Sequence, residues 1–382
     1  MTNPENTSLV STPDPVASPQ KSGYGEAMTH EEGLGPRLPQ DLVDALLMSL
    51  RGVSPIGKVR CEFMPAHAED RNLIRGEKCR LRNLASPEGL VTIPGESVRY
   101  RRDVAEILAE IASWSYSDGQ TLADELLHRG IIGKRDTCHQ ISLRNDAMLV
   151  VATAFFVKSG HVGVLSFRGT EPANAISFLA DANVEVRDLL SLGHVHGGFY
   201  RNLQALWNDI DDRISQAFDG KHGDRLTALF ITGHSLGAAM AVIAAAAIFA
   251  DERYARWRRA IGGIYTYGQP MVGDKEFARS CDERFGSLLF RHIYENDIVP
   301  TMPPVTAGIF KHSGSEYAGS VNGWVPREKA VRQAPTILFT LPIGAAAFVF
   351  KQFPALASIK LPYSINDHSP NGYLLAFRAA KE

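Results

Sequence analysis

The sequence predicts an α/β protein whose central sheet is mostly parallel and covered by helices on both faces. Three observations carry this. Strand-like and helix-like runs alternate over residues 199–294, the pattern of repeated strand–helix–strand units. An apolar run, Leu229 to Thr232, enters the pentapeptide Gly233-His234-Ser235-Leu236-Gly237 and leaves through the uncharged stretch Ala238 to Ala250. Strand, sharp turn and helix therefore follow one another without a break. Polar residues such as Asp297 come directly after a later strand-like run, and the carboxyl ends of a parallel sheet are where functional side chains gather.

Residues 1–38 are rich in Pro, Ser, Thr, Gly and Glu with few large apolar groups, so they read as a disordered tail. Residues 39–95 form an extension in which only Leu42 to Leu50 has amphipathic helical spacing, and no function is signalled there. The main domain is expected over residues 96–382. It opens with a helical pattern near Ser97, with Val104, Ile107, Leu108 and Ile111 on one face, and a second pattern over Leu122 to Leu127. Ala147 to Lys158 and His161 to Phe167 read as strands joined across Ser159-Gly160 into a hairpin. A helix over Phe199 to Phe218 follows, then the strand from Arg225 and the helix after Ser235. Beyond these come the strand Ile261 to Tyr267, the helix Glu276 to Phe285 and the strand Leu288 to Tyr294.

A chain of 382 residues can bury the core of one large α/β domain. Its 40 basic and 42 acidic side chains leave a formal charge of −2, which supplies no electrostatic reason for a nucleic-acid partner. Cys61, Cys79, Cys138 and Cys281 lack close metal-ligand spacing, so free thiols are expected, with no metal and no other cofactor. The start, Met1 to Ser8, lacks a basic segment followed by an apolar one, and the expected location is therefore cytoplasmic or peripheral to a membrane, with leaderless export left open. Ala334 to Phe350 carries no charge, but Pro335, Pro342 and Gly344 interrupt it, which favours a buried or interfacial segment over a membrane span.

The pentapeptide holds a serine on a turn bordered by glycines, where its hydroxyl can stand clear of the backbone. A serine hydroxyl is a weak nucleophile at neutral pH, so Ser235 needs an imidazole to take its proton and a carboxylate to orient that imidazole. On a strand–turn–helix of this kind, acid and histidine follow the serine in that order. Asp297, at a strand end in Glu295-Asn296-Asp297-Ile298-Val299-Pro300, is the best-placed acid. The competing Asp274, Glu295 and Asp282 read as a helix cap, a solvated loop charge and a helix-surface charge.

Two histidines lie downstream, His312 and His368, and order alone does not separate them. His312 follows Asp297 too closely for much of a further element, whereas His368 stands in a polar loop near the C-terminus. His368 is favoured and His312 is taken as structural. Oxyanion stabilisation needs backbone N–H groups fixed in advance. The Leu236 N–H, in the first turn of the helix, is one candidate, and the Gly169-Thr170 segment at the end of an earlier strand offers the second.

Together these residues resemble the class 3 lipases, a family of fungal-type triacylglycerol lipases and bacterial relatives with the α/β-hydrolase fold. The resemblance rests on Val164 to Thr170, Val195 to Phe199, Gly233 to Gly237, Tyr265 to Asp274 and Asn296 to Pro300, in that order and spacing. It implies a triad of Ser235, Asp297 and His368, and an oxyanion hole of Thr170 and Leu236. It also implies a lid over Ala173 to Asp181 in which Ile176, Phe178 and Leu179 cover the site, with Asp181 holding the Thr170 hydroxyl.

The expected activity is carboxylic ester hydrolysis through an acyl-enzyme, on acylglycerols first. A phospholipase A1 or a short-chain esterase is the alternative, and a catalytically degenerate membrane-surface binding protein is the reading from another class. The expected partners are a lipid or small ester and, transiently, a membrane or lipid-droplet surface; the oligomeric state is not indicated. The chain departs from the secreted fungal members in lacking a signal and an evident cystine framework, and in carrying the uncharged Ala334 to Phe350 segment.

Overall fold

The computed structural model describes residues 59–63, 79–84, 100–145, 150–170, 185–189, 192–220, 224–334 and 363–378. The expected tail, the Leu42 to Leu50 helix, the lid residues and all but the first residue of the Ala334 to Phe350 segment lie outside these.

The strands are β1 (Val59–Phe63), β2 (Thr137–Asn145), β3 (Val150–Ser159), β4 (Val162–Phe167), β5 (Val186–Asp188), β6 (His194–His196), β7 (Ala228–His234), β8 (Ile261–Tyr267), β9 (Leu289–Tyr294), β10 (Ser315–Ser320) and β11 (Gly323–Arg327). The helices are α1 (Arg80–Asn83), α2 (Arg102–Trp114), α3 (Gly119–His128), α4 (Gly197–Phe218), α5 (Leu236–Ala250), α6 (Ala255–Ala260), α7 (Lys275–Phe285) and α8 (Pro370–Arg378).

Nine strands form one sheet in the order β1-β2-β3-β4-β7-β8-β9-β10-β11. From β4 through β7, β8 and β9 to β10 every pairing is parallel. The flanks are antiparallel, with the expected β3–β4 hairpin on one side and β10–β11 on the other. Helices α4, α5 and α7 lie in the connections from β4 to β7, β7 to β8 and β8 to β9, whereas β9 and β10 are joined by a loop with two 3-10 turns, Val299–Thr301 and Val305–Ala307.

Alternation along the central strands sends neighbouring side chains to opposite faces. Leu229 and Ile231 of β7, with Ile264 of β8, join the core beneath α4, α5 and α7. Phe230, Tyr265 and Tyr267 join the core beneath α2, α3 and α8. Helix α5 is buried nearly throughout, from Leu236 to Ala246 without interruption. That explains why its sequence shows no polar stripe: small and aliphatic side chains contact the sheet on one side and neighbouring helices on the other.

Several element ends differ from expectation. The first domain helix starts at Arg102, with Arg101 extended before it, and β3 starts at Val150. Strand β2 and the β10–β11 hairpin were not expected, because Thr137 to Asn145 and Ser315 to Arg327 mix polar residues into weak alternation. Part of the 39–95 extension is now placed, since β1 pairs antiparallel with β2 at the sheet edge. Among the described residues no helix is long and apolar enough to cross a membrane.

Candidate functional site

Strand β7 delivers Ser235 to the carboxyl edge of the sheet, and the backbone there is strained. Ser235 has φ 59° and ψ −128°, a region that costs a non-glycine residue about 1–3 kcal/mol and persists only where the surroundings enforce it. The enforcement is close packing by both glycines of the pentapeptide. A Cβ on Gly233 would lie 2.4 Å from the Gly237 carbonyl, and one on Gly237 would lie 2.1 Å from the Phe167 carbonyl. Strand β7, the first turn of α5 and the end of β4 therefore meet with no room for side chains. The Ser235 N–H donates to the Tyr267 carbonyl at 2.9 Å, which ties the turn to β8.

The acid arrives from β9. After Tyr294 the chain turns through Glu295, at φ 44°, and the Asp297 N–H returns to the Tyr294 carbonyl at 3.0 Å. Asp297 is buried, and three donors converge on its carboxylate. Val299 N–H reaches Oδ1 at 2.8 Å, His368 Nδ1 reaches Oδ2 at 2.7 Å, and the Tyr373 hydroxyl also donates to Oδ2. Buried polar groups are stable only when satisfied in this way.

His368 sits in a short 3-10 turn, Asn366–His368, just before α8. Its loop is zipped to the acid loop by main-chain bonds, Ser364 N–H to the Asn296 carbonyl at 2.7 Å and Ile298 N–H to the Ser364 carbonyl at 3.2 Å. Asp367 adds a side-chain bond from the Asn296 N–H at 3.1 Å. The imidazole is fully buried, and Gly268 at the end of β8 lies directly against it. A Cβ there would be 2.7 Å from His368 Cε1 and 3.0 Å from Asp297 Oδ2.

His234, the residue before Ser235, has its ring 4.5 Å from the His368 ring, so the histidine lies over the turn that carries the serine. His234 Nε2 is buried here without a partner, and so are Ser235 Oγ and His368 Nε2. The last two are the atoms between which a proton would pass, and hydrogen bonds of this kind often close only when substrate is bound.

The segment expected to supply an oxyanion donor borders the turn. A Cβ on Gly169 would lie 2.5 Å from the His234 carbonyl, so the chain that runs on beyond β4 to the half-buried Thr170 passes against the serine turn. The Leu236 N–H belongs to the first turn of α5, where no intrahelical carbonyl is available to it.

The other candidates are placed elsewhere. Asp274 caps α7, accepting from the Phe277 N–H at 2.8 Å, and Asp282 accepts from the Gly314 N–H at 2.7 Å. Glu295 accepts from the Val321 N–H at 3.3 Å. His312 bonds the Pro300 carbonyl at 2.8 Å through Nε2 and is held well below its usual pKa by burial and the nearby Arg291. It makes no contact with Asp297. Ile176, Phe178, Leu179 and Asp181 lie outside the described residues. Among the described residues no His, Cys, Asp and Glu cluster is arranged to hold a metal ion.

Three contributors were not singled out by sequence reasoning: Tyr116, Gly268 and the side chain of His234. Tyr373 was noted only as following His368. Burial and the Asp297 carboxylate hold its phenol well above the usual range, so it remains a donor. Its only sequence signal was its place shortly after a polar loop. Tyr116 has none, because it comes from a loop between α2 and α3 far upstream in the chain.

Comparison with known proteins finds similarity to lipases. Residues 164–307 match the family described as Lipase (class 3). The triacylglycerol lipase OBL1 of Arabidopsis thaliana is 27% identical over 214 residues, which is 44% of this chain and 40% of the relative. A secreted mono- and diacylglycerol lipase of Fusarium solani is 33% identical over 190 residues, which is 46% of this chain and 52% of the relative. The chain thus spans about half the length of the curated relatives it matches.

Among solved structures, a Rhizomucor miehei lipase propeptide complex aligns with TM-score 0.51 and 19% identity, over 80% of this chain and 93% of that one. A mono- and diacylglycerol lipase from Aspergillus oryzae aligns with TM-score 0.50 and 18% identity, over 74% of this chain and 99% of that one. At these identities the likeness shows a shared α/β-hydrolase fold.

Proposed function

We propose that this chain is a class 3 lipase that hydrolyses carboxylic esters of lipids through an acyl-enzyme on Ser235. His368 takes the Ser235 proton as Oγ attacks the ester carbonyl, and Asp297, bonded to His368 Nδ1, orients the ring and supports the imidazolium. The alcohol leaves with that proton, and water, deprotonated by the same imidazole, releases the fatty acid. Thr170 and Leu236 provide the N–H donors for the oxyanion, each such donor contributing about 2.7–4 kcal/mol to the transition state in acyl-transfer enzymes.

The observation that carries this reading is the pair of unsatisfied buried atoms, Ser235 Oγ and His368 Nε2, beside an Asp297 carboxylate whose two oxygens are both bonded. The two atoms that must exchange a proton are thus both free to do so, while the acid that orients the imidazole is fully engaged.

Acylglycerols are the proposed substrates, and transient residence at a lipid surface in the cytoplasm or at a membrane periphery is part of the proposal. The names of the Arabidopsis and Fusarium relatives support that class.

The test is a substrate panel of p-nitrophenyl esters from short to long chain, triolein and a phosphatidylcholine, each above and below its solubility limit. Highest turnover on triolein and long-chain esters above the limit is expected. Turnover confined to soluble short-chain esters would make the protein an esterase, and preference for phosphatidylcholine a phospholipase. Activity on no ester would leave a binding protein.

A further inference from the structure

The residue preceding Ser235 is a second imidazole with no part in the proton transfer. His234 ends β7 and is 1% exposed. Its Nδ1 lies 2.7 Å from the Tyr116 hydroxyl, and its ring lies 4.5 Å from the His368 ring at a tilt of 33°. Tyr373 meets it edge-on at 5.4 Å and Tyr116 does so at 5.7 Å. His368 is thereby held at Nδ1 by Asp297 and along its ring by His234. Tyr116 reaches further, because a Cβ on Gly169 would lie 2.1 Å from its hydroxyl. One phenol touches both the serine turn and the segment that leads to Thr170.

The dominant influences on His234 favour a neutral ring. Burial pushes it well below the usual imidazole range and the neighbouring His368 adds to this, while the His368 main-chain carbonyl acts the other way. The titratable groups packed on it are Tyr116, His368 and Tyr373, with Arg168 and Asp297 the charges that reach Tyr116. Burial keeps Tyr116 a phenol, and a phenolic hydroxyl can pair with Nδ1 in either tautomer of the neutral ring. A neutral ring can stay beside His368 when that imidazole becomes a cation, whereas a second cation would oppose it.

We propose that Tyr116 and His234 are a positioning pair: the phenol fixes the His234 ring, and that ring holds the His368 imidazole in register between Asp297 and Ser235. The inference rests on the proposed triad, and the experiment separates the two. Tyr116→Phe, His234→Asn, their double variant and Ser235→Ala are compared with the wild type on p-nitrophenyl butyrate and by the rate of labelling with a fluorophosphonate.

Tyr116→Phe is expected to lower kcat and the labelling rate about tenfold, with KM within about twofold, the scale of one lost hydrogen bond acting on chemistry. The double variant is expected to fall no more than about twofold below His234→Asn, since residues acting as a unit are not additive. Wild-type kcat in Tyr116→Phe overturns the pairing, as do effects that multiply or a change confined to KM. Should His234→Asn fail to fold, the near-isosteric Tyr116→Phe decides alone. A Ser235→Ala protein that still turns over ester overturns the triad itself. A silent Ser235→Ala beside an unaffected Tyr116→Phe overturns only the pair.

Discussion

Gly268 is where a single methyl group has the largest leverage on the site. It adopts φ +58°, and an added Cβ would sit 2.7 Å from His368 Cε1, so the imidazole must move away from Asp297. Gly268→Ala is expected to lower kcat about a hundredfold, the scale of an ångström-sized misplacement, while the circular-dichroism spectrum stays that of the folded protein. Asp297→Asn keeps the shape of the acid but leaves the His368 tautomer unsupported. It should reduce kcat on the order of 10⁴-fold in steady-state assays. The serine and acid of the proposed triad were legible in the sequence because strand ends and chain order limit where such groups can stand, and order narrowed the histidine to His312 and His368. Gly268 and Tyr116 were not legible, since their importance lies in a contact made across the sheet, and nothing in their local sequence records which atom they meet.

The turn between β7 and α5 is held by contacts among elements distant in the chain. Gly237 presses its Cα face onto the Phe167 carbonyl of β4, and a main-chain oxygen cannot swing aside as a side chain can. Gly237→Ala is therefore expected to destabilise the protein on the order of 3 kcal/mol through overpacking, read as a lower urea midpoint. An unchanged midpoint would mean that α5 can shift freely from β4. Strands β7, β8 and β9 and helices α4, α5 and α7 were readable because each is a strong apolar pattern with clear ends. Strand β2 and the β10–β11 hairpin were not, because Gln140, Ser142, Glu316 and Arg327 occupy strand positions that pattern reading assigns to loops. Glu316 is nearly buried and paired with Arg291 at 3.1 Å and Arg327 at 2.9 Å, a tertiary arrangement with no local signature.

Among the described residues, three histidines held low by desolvation couple folding to pH. His234 and His312 lie well below the usual imidazole range through burial, and burial takes His292 down to about 3. An unfolded histidine binds its proton near pH ~6.5 while these folded ones do not, so the unfolded state takes up more protons below that pH. The resulting stabilisation is complete above about pH 6.5 and is lost progressively as the pH falls toward about 3. The urea midpoint should be level from pH 7 to 8 and drop between pH 6.5 and 4; a flat midpoint across that range would show that these imidazoles titrate alike folded and unfolded. The central claim concerns the folded chain as a catalyst, and the most direct measurement is the intact mass of the protein after exposure to a fluorophosphonate. One adduct on Ser235 is expected, absent in Ser235→Ala and formed far more slowly in His368→Ala. An adduct that persists in Ser235→Ala, or labelling indifferent to the loss of His368, would contradict it.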